Sequence, residues 1–298
     1  MPDVARGELD RRALGLALTR IANAKASDAF ATDLAPPAKR ARRIGLTGPP
    51  GAGKSTLAGR LALERLKGGR LGVLAIDPSS PKTGGAILGD RIRMDDLAGS
   101  ENLYIRSFAS RSAVDGLADN LPELLDAMDR YEFDEVLVET VGVGQAELAV
   151  RAQVDTLILV VPPDAGDAVQ AMKAGIIEIA DIFAVNKADM PAAMKMATEL
   201  RRIIGLTQTA APNWVPPVLL TSQTRPESIA ELSSQCDRHR EWLELSGSGE
   251  SRGLARRKYR LLRWLERRLG EAADAQSAEF FALPAAEQIR RLLIKLSE

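Results

Sequence analysis

Gly48, Gly53, Lys54 and Ser55 stand at the spacing GxxxxGK[ST] within the run Gly48-Pro49-Pro50-Gly51-Ala52-Gly53-Lys54-Ser55-Thr56. Glycines at this spacing let consecutive backbone N–H groups turn inward around phosphate oxygens. A helix opening at the end of the run adds partial positive charge beneath those oxygens. Lys54 can then reach the β- and γ-phosphates of a nucleotide, and the Ser55 hydroxyl can ligate Mg²⁺. A glycine-rich turn with an incidental lysine is the alternative. The apolar run Ile44–Thr47 before the loop and the apolar-periodic stretch after it argue against that alternative.

Asn186-Lys187-Ala188-Asp189 follows directly on the apolar run Ile182–Val185. A carboxylate at Asp189 can accept hydrogen bonds from N1–H and the 2-amino group of guanine, donors that adenine lacks. Sites built on such polar pairing discriminate by roughly 10⁴ or more. Asn186 is placed to tie this loop to the phosphate loop, and the Lys187 stem to lie over the base plane. Thr221-Ser222-Gln223, with Thr224 next to it, ends the last apolar run and offers backbone N–H groups to the guanine carbonyl. Alone, the four-residue pattern is also that of a polar turn; beyond a phosphate loop it points to GTP.

Three acids complete the candidate site. Asp77 ends Leu71–Ile76, Asp90 lies in Ile87-Leu88-Gly89-Asp90-Arg91, and Glu139 ends Val136–Val138. Ligand sites of α/β sheets form at strand C-termini, so Asp77, Asp90 and Glu139 join Ser55 as candidate Mg²⁺ ligands. Asp90 has a second reading as a helix cap or solvated turn. Glu139-Thr140-Val141-Gly142 has DxxG spacing with Glu replacing Asp, which brings the Gly142 N–H toward the γ-phosphate. Val143 stands where a water-orienting glutamine would follow. Unaided hydrolysis should therefore be slow, with Asp77 or a bound partner positioning the water.

The elements that hold these loops are short β-prone runs alternating with helical stretches. The runs are Ile44–Thr47, Leu71–Ile76, Val136–Val138, Thr156–Val161, Ile182–Val185 and Val218–Thr221. Between them, Lys54–Leu66, Leu117–Arg130, Val169–Ala180 and Ala193–Ile204 read as helices. Wholly apolar strands separated by helices predict an α/β P-loop NTPase fold, a mostly parallel sheet covered on both faces. Residues 9–30 read as an amphipathic helix, and Glu227–Arg240 and Leu254–Leu269 as helices after the last strand. The division expected is an N-terminal helical extension at 1–39, a nucleotide domain at 40–226, and a C-terminal helical association region at 227–298.

Composition excludes several functions. Of 298 residues, 45% are hydrophobic and 27% charged, with 40 Lys plus Arg against 40 Asp plus Glu. A neutral chain lacks the basic excess of a general nucleic-acid or anionic-membrane binder. No apolar run approaches the roughly 20 residues that span a bilayer, and charges at Asp3, Arg6, Glu8 and Asp10 occupy the place of a signal peptide's apolar stretch. The expectation is a cytoplasmic protein with no nucleic-acid or membrane partner. One Cys and one His exclude a disulfide framework or zinc finger. Cys236 and His239 lie three apart on one predicted helix, but two ligands alone do not make a metal site. The basic stretch Arg252, Arg256, Arg257, Lys258, Arg260, Arg263, Arg267 and Arg268 reads as the charged face of an amphipathic helix, balanced by Glu266, Glu271 and Asp274.

Taken together the motifs resemble the methylmalonyl-CoA mutase-associated GTPases, the MeaB/ArgK type within the SIMIBI class of P-loop GTPases. The resemblance runs from Gly7–Leu18 to about Leu232. It is carried by DPSSPKTGGAILGDRIRM (77–94), ETVGVGQAE (139–147), AGDAVQAMKAGIIEIADIFAVNKAD (165–189) and WVPPVLLTSQ (214–223). It implies that Asp77, Asp90 and Glu139 surround Mg²⁺ and the γ-phosphate. It also implies that Asp164–Lys173 is a further switch, with Lys173 reaching toward the nucleotide. A homodimer joined partly through C-terminal helices is implied, as is a partner, an adenosylcobalamin-dependent acyl-CoA mutase whose cofactor loading is gated and whose loaded form is protected. The chain departs from the family at Asp164 and Gln223, where Gly and Ala are usual, at Ala168-Val169, and around Asp115. Two other functions fit the loops: a nickel metallochaperone GTPase of the same class, and a transport-associated kinase or ATPase.

Overall fold

A computed structural model describes residues 7–26, 28, 39–78, 100–110, 120–140, 146–164, 176–207 and 214–297. Seven strands form one sheet: β1 (Arg42–Thr47), β2 (Leu71–Pro78), β3 (Leu103–Ser110), β4 (Glu135–Glu139), β5 (Thr156–Val161), β6 (Ile182–Val185) and β7 (Val218–Leu220). Their order is β3-β2-β4-β1-β5-β6-β7, and every pairing is parallel. Strands β4, β5 and β6 are buried at every position, as the apolar centres of their sequences require, the glutamates at the two ends of β4 included. The central strand β1 lies between β4 and β5, where the connections diverge to opposite sides. A crevice opens there, at the strand C-termini.

Strand β3 was not among the runs read from sequence. It is an edge strand, and Arg106 and Ser107 interrupt its apolar pattern. Arg106 is not turned to solvent alone: it donates to Gly15 O and Thr19 Oγ1, both at 2.6 Å. Those acceptors belong to α1 (Arg11–Asn23), which is shorter than the predicted 9–30. Asp10 caps its N-terminus, accepting from the Ala13 N–H at 2.8 Å, and Ala24 is already extended at ψ 142°. Leu14 and Leu18 of α1 are fully buried against β2, β3 and α3 (Leu121–Arg130).

Helix α2 (Lys54–Arg65) and α7 (Pro226–Leu245) cover the other face. Ile229, Leu232 and Cys236 of α7 join Leu57, Leu61 and the inner side chains of β1 in one apolar cluster. Arg65 of α2 pairs with Glu135 and with Asp237 (2.8 Å), which fixes α7 against the sheet. Between the strands lie α4 (Ala146–Arg151), α5 (Ile176–Ile179) and α6 (Ala192–Thr207). The chain ends in α8 (Ser248–Asp274), α9 (Ala278–Phe281) and α10 (Ala285–Ser297), of which α9 and α10 lie within the expected C-terminal helical region but were not given separate bounds from sequence.

The basic stretch on α8 faces the nucleotide-binding half of the chain. Arg252 meets Asp181 at 2.8 Å, Arg256 meets Asp155 at 3.1 Å, and Arg260 meets Asp126 at 2.5 Å. Successive spacings of four put these three arginines on one helix face. Arg263 does pair within the helix, with Glu266 at 2.6 Å. The balance expected from acids on the same helix is thus largely replaced by acids distant in sequence. Among the described residues no helix is long and apolar enough to cross a membrane.

Asp181, just before β6, is engaged from several sides. It accepts from the Leu157 N–H at 2.8 Å, pairs with Arg151 at 3.0 Å, and lies 3.3 Å from His239 Nε2. Burial opposes its charge, but His239, Arg151 and Arg252 overcome that cost and hold the carboxyl at about 2. An unfolded aspartate titrates near 3.9, so the resulting stability is whole above about pH 4 and drains as pH falls toward about 2. Between about pH 5 and about pH 3, wild type should lose about 1 kcal/mol more stability than Asp181→Asn. Urea unfolding at the two pH values reads this; equal losses in both proteins would contradict the assignment.

Candidate functional site

The loop between β1 and α2 closes back on itself. Gly48 has φ +142°, and a Cβ there would collide with the Val160 carbonyl oxygen of β5. Gly53 has φ +83°, and its Cβ would stand 2.5 Å from Asn186 Nδ2. Glycine is required at both places, by backbone conformation and by the approach of a neighbouring element. Lys54 is buried, and its Nζ donates to Gly48 O at 2.9 Å and Pro49 O at 3.1 Å. The ammonium is therefore held inside the curl of the loop, where phosphate oxygens would be drawn in.

Glu139 reaches this loop from the neighbouring strand. The register pairs Leu46 of β1 with Glu139 of β4. Thr140 reinforces the alignment, its N–H donating to Leu46 O (3.1 Å) and its hydroxyl to Thr47 Oγ1 (3.0 Å). The Ser55 hydroxyl donates to Glu139 Oε1 at 2.6 Å, and both side chains are buried. A hydroxyl and a carboxylate side by side are hard oxygen donors, the set that suits Mg²⁺.

The second loop is tied to the first. Asn186 donates from Nδ2 to Ala52 O at 2.9 Å and accepts from the Thr221 hydroxyl at 3.2 Å. One side chain thereby links the loops after β1, β6 and β7. Lys187 adopts φ +55°, uncommon for a residue with a Cβ, and its Nζ reaches Gly51 O at 2.8 Å. Asp189 accepts from the Ser222 hydroxyl at 2.8 Å, and Ser222 is itself 2.8 Å from Thr224 Oγ1. The Ser222 hydrogen bond holds the Asp189 carboxyl below the usual carboxylate range. It is exposed to the cleft and ionised at neutral pH. The cleft, about 220 Å³, is lined by Gly53, Thr56, Leu57 and Arg60 from the first loop and α2, and by Asn186, Lys187, Asp189, Met190 and Gln223 from the loops after β6 and β7.

The structure thus brings together residues 48–56, Glu139, Asn186, Lys187, Asp189 and the turn 222–224. Asp90, Asp115, Gly142, Val143, Ala168 and Lys173 lie outside the described residues. Of Asp77 the backbone alone is described, at the end of β2 and paired with Ala109. The sequence reading missed Ser228 and the hydroxyl roles of Thr47, Thr140 and Thr221, the last of which it read only for its backbone N–H. Ser228 accepts from the Ser222 N–H at 3.1 Å and donates to Arg225 O at 2.7 Å. Their shared signal is a hydroxyl at a strand or turn end, too common to single out. Cys236 and His239 do not offer a metal site: burial pushes the Cys236 thiol to about 12, and His239 Nδ1 lies 2.9 Å from Thr156 Oγ1.

Comparisons with known proteins agree with this geometry. The model of the family "Methylmalonyl Co-A mutase-associated GTPase MeaB" matches residues 11–278. A Pyrococcus abyssi protein named as a GTPase is 44% identical over 243 residues, 80% of this chain and 75% of that protein. The mouse mitochondrial methylmalonic aciduria type A homolog is 37% identical over 229 residues, 74% of this chain and 54% of its own length. A crystal structure described as a LAO/AO transport system kinase superposes with a TM-score of 0.61 at 22% identity. It covers 98% of this chain and 100% of its own, a likeness of fold. With the family model matching residues 11–278 and a relative 44% identical over 80% of the chain, the chain belongs to the methylmalonyl-CoA mutase-associated GTPase family and is a P-loop GTPase.

Proposed function

We propose that this GTPase serves an adenosylcobalamin-dependent acyl-CoA mutase, gating cofactor loading and protecting the loaded enzyme. The family match across residues 11–278 is the observation that carries this reading. In the proposed cycle GTP lies with its phosphates in the loop 48–56 and its base against Asn186, Lys187, Asp189 and the turn 222–224. Lys54 moves from the loop carbonyls to the β- and γ-phosphates. Ser55 and Glu139 fit a Mg²⁺ ion, and Asp77 and Asp90 are assigned to the same shell. When bound, such an ion neutralises charge on the β- and γ-phosphate oxygens. Gly142 is assigned to the γ-phosphate through its N–H. The core of this activity is residues 40–226, with 1–39 and 227–298 as extensions, in a cytoplasmic protein.

Leu254, Leu261, Leu262 and Leu265 of α8, and Ile289, Leu293 and Ile294 of α10, are each more than a third exposed. We assign this apolar face to a homodimer contact. A metallochaperone is less well supported, because Cys236 and His239 are spent in the core. The proposal predicts slow hydrolysis alone and faster hydrolysis with the partner, because Val143 supplies no water-orienting amide. A cation delivered by rearrangement can accelerate such a step by roughly 10³ or more, and Lys173 is the assigned cation. Steady-state GTP turnover, with and without acyl-CoA mutases of the native organism, should rise with one of them. The rise should vanish in Lys173→Ala. Sedimentation of the same mixtures reads the homodimer and the complex. No stimulation and no complex with any mutase would overturn the proposal.

A further inference from the structure

We propose that Thr140, through its hydroxyl bond to Thr47, sets the gap between the phosphate loop and Glu139 and thereby the affinity of the site for Mg²⁺. The inference rests on the reading of Ser55 and Glu139 as Mg²⁺ ligands and names a positioning residue for them. Backbone pairing of β1 with β4 runs from Arg42 opposite Glu135 to Leu46 opposite Glu139. One residue beyond that register, Thr47 and Thr140 are joined through their side chains, hydroxyl to hydroxyl at 3.0 Å. Both are buried, so water cannot stand in for either partner. Glu139 immediately precedes one of these threonines, and the phosphate loop immediately follows the other. Ser55, in the first turn of α2 at the far end of that loop, meets Glu139 at 2.6 Å.

The opposite side of the loop start is already fixed. Thr47 pairs with Leu159 of β5, and Gly48 lies so close to the Val160 carbonyl that a Cβ would collide with it. The loop therefore has no room to shift toward β5 and follow a displacement of β4. With that side fixed, the Thr47–Thr140 bond decides how far the Glu139 carboxylate stands from the Ser55 hydroxyl. Mg²⁺ is sensitive to such a gap, because it demands near-ideal octahedral geometry at about 2.0–2.1 Å from its oxygens. Removing a group that orients a metal ligand from behind costs about 10- to 100-fold in metal affinity. A hydroxyl pair that served the fold alone would change stability and leave the Mg²⁺ requirement where it was.

Binding of methylanthraniloyl-GTP, followed by its fluorescence as free Mg²⁺ is raised, reads this without any turnover. Thr140→Val replaces the hydroxyl with a methyl group of similar size. It should need about tenfold more Mg²⁺ than wild type for half-maximal binding, with binding in EDTA unchanged. Thr140→Ser keeps the hydroxyl and should retain the wild-type requirement. The double variant Thr47→Val, Thr140→Val leaves no buried hydroxyl unpaired, so it should fold even if the single variant does not, and it should show the same shift. A wild-type Mg²⁺ requirement in the folded valine variants, an equal loss of binding in EDTA, or a serine variant as impaired as valine would overturn the proposal. Glu139→Gln, measured alongside, distinguishes the two assignments. If it raises the Mg²⁺ requirement while the valine variants do not, only the Thr140 role fails. If it leaves the requirement unchanged, the metal assignment fails and this proposal fails with it.

Discussion

Lys54→Ala should lose GTP turnover by about 10² to 10³-fold or more, the scale of removing a preorganised charge from a reacting oxygen. The ammonium is buried within the loop, 2.9 and 3.1 Å from two carbonyl oxygens. Its exchange of those carbonyls for phosphate oxygens needs only rotation of a side chain whose backbone is already fixed. In the proposed mode, charge accumulating on the β–γ bridge during transfer would meet a nearly desolvated cation, an interaction much stronger than in water. Alanine leaves the Gly48 and Pro49 carbonyls to water at the loop, so the fold should survive. Ser55→Ala should weaken Mg²⁺-dependent GTP binding in the same assay, because it deletes one of the two oxygens paired at 2.6 Å. Phosphate release at matched enzyme concentration, with circular dichroism as the fold control, is the check. Turnover in Lys54→Ala equal to wild type would contradict the assignment of the loop.

The parts of the fold legible in sequence were those set by local chemistry. Strands β5 and β6 are buried throughout and carry near-continuous apolar runs, while β1 and β4 keep apolar centres between polar ends. The phosphate loop is specified by backbone conformations that only glycine adopts readily, at Gly48 and Gly53. What escaped depended on partners distant along the chain. Strand β3 hides behind Arg106, whose polar end is used by α1. The arginines of α8 announced a charged helix, but nothing within that helix names Asp181, Asp155 or Asp126 as their partners. The same holds for the bond between Ser222 and Asp189. It exists because β6 and β7 are neighbours, with Val185 beside Leu220, and only that pairing brings a hydroxyl to the carboxylate.

Asp189→Asn should exchange one nucleotide for another. Ser222 fixes one carboxylate oxygen at 2.8 Å and keeps the group charged. In the proposed binding mode its charge would meet guanine's two donors, N1–H and the 2-amino group. Two charge-assisted hydrogen bonds at about 1.5–3 kcal/mol each correspond to roughly 10² to 10⁴ in affinity. An asparagine presents N–H where an acceptor is needed, so GTP loses both a bond and the charge. Xanthine carries a 2-keto oxygen in place of the amino group, and the new amide donor suits it. The Ser222 hydroxyl can still donate to the amide oxygen, so the loop geometry should persist. The exchange therefore isolates recognition from folding.

Competition between GTP and XTP, read as phosphate release by wild type and Asp189→Asn, tests the central claim most directly. It engages the phosphate loop and the base loop in one turnover. The account predicts that wild type hydrolyses GTP and scarcely uses XTP, whereas Asp189→Asn reverses the preference and still hydrolyses XTP. A variant that keeps the GTP preference of wild type would contradict it.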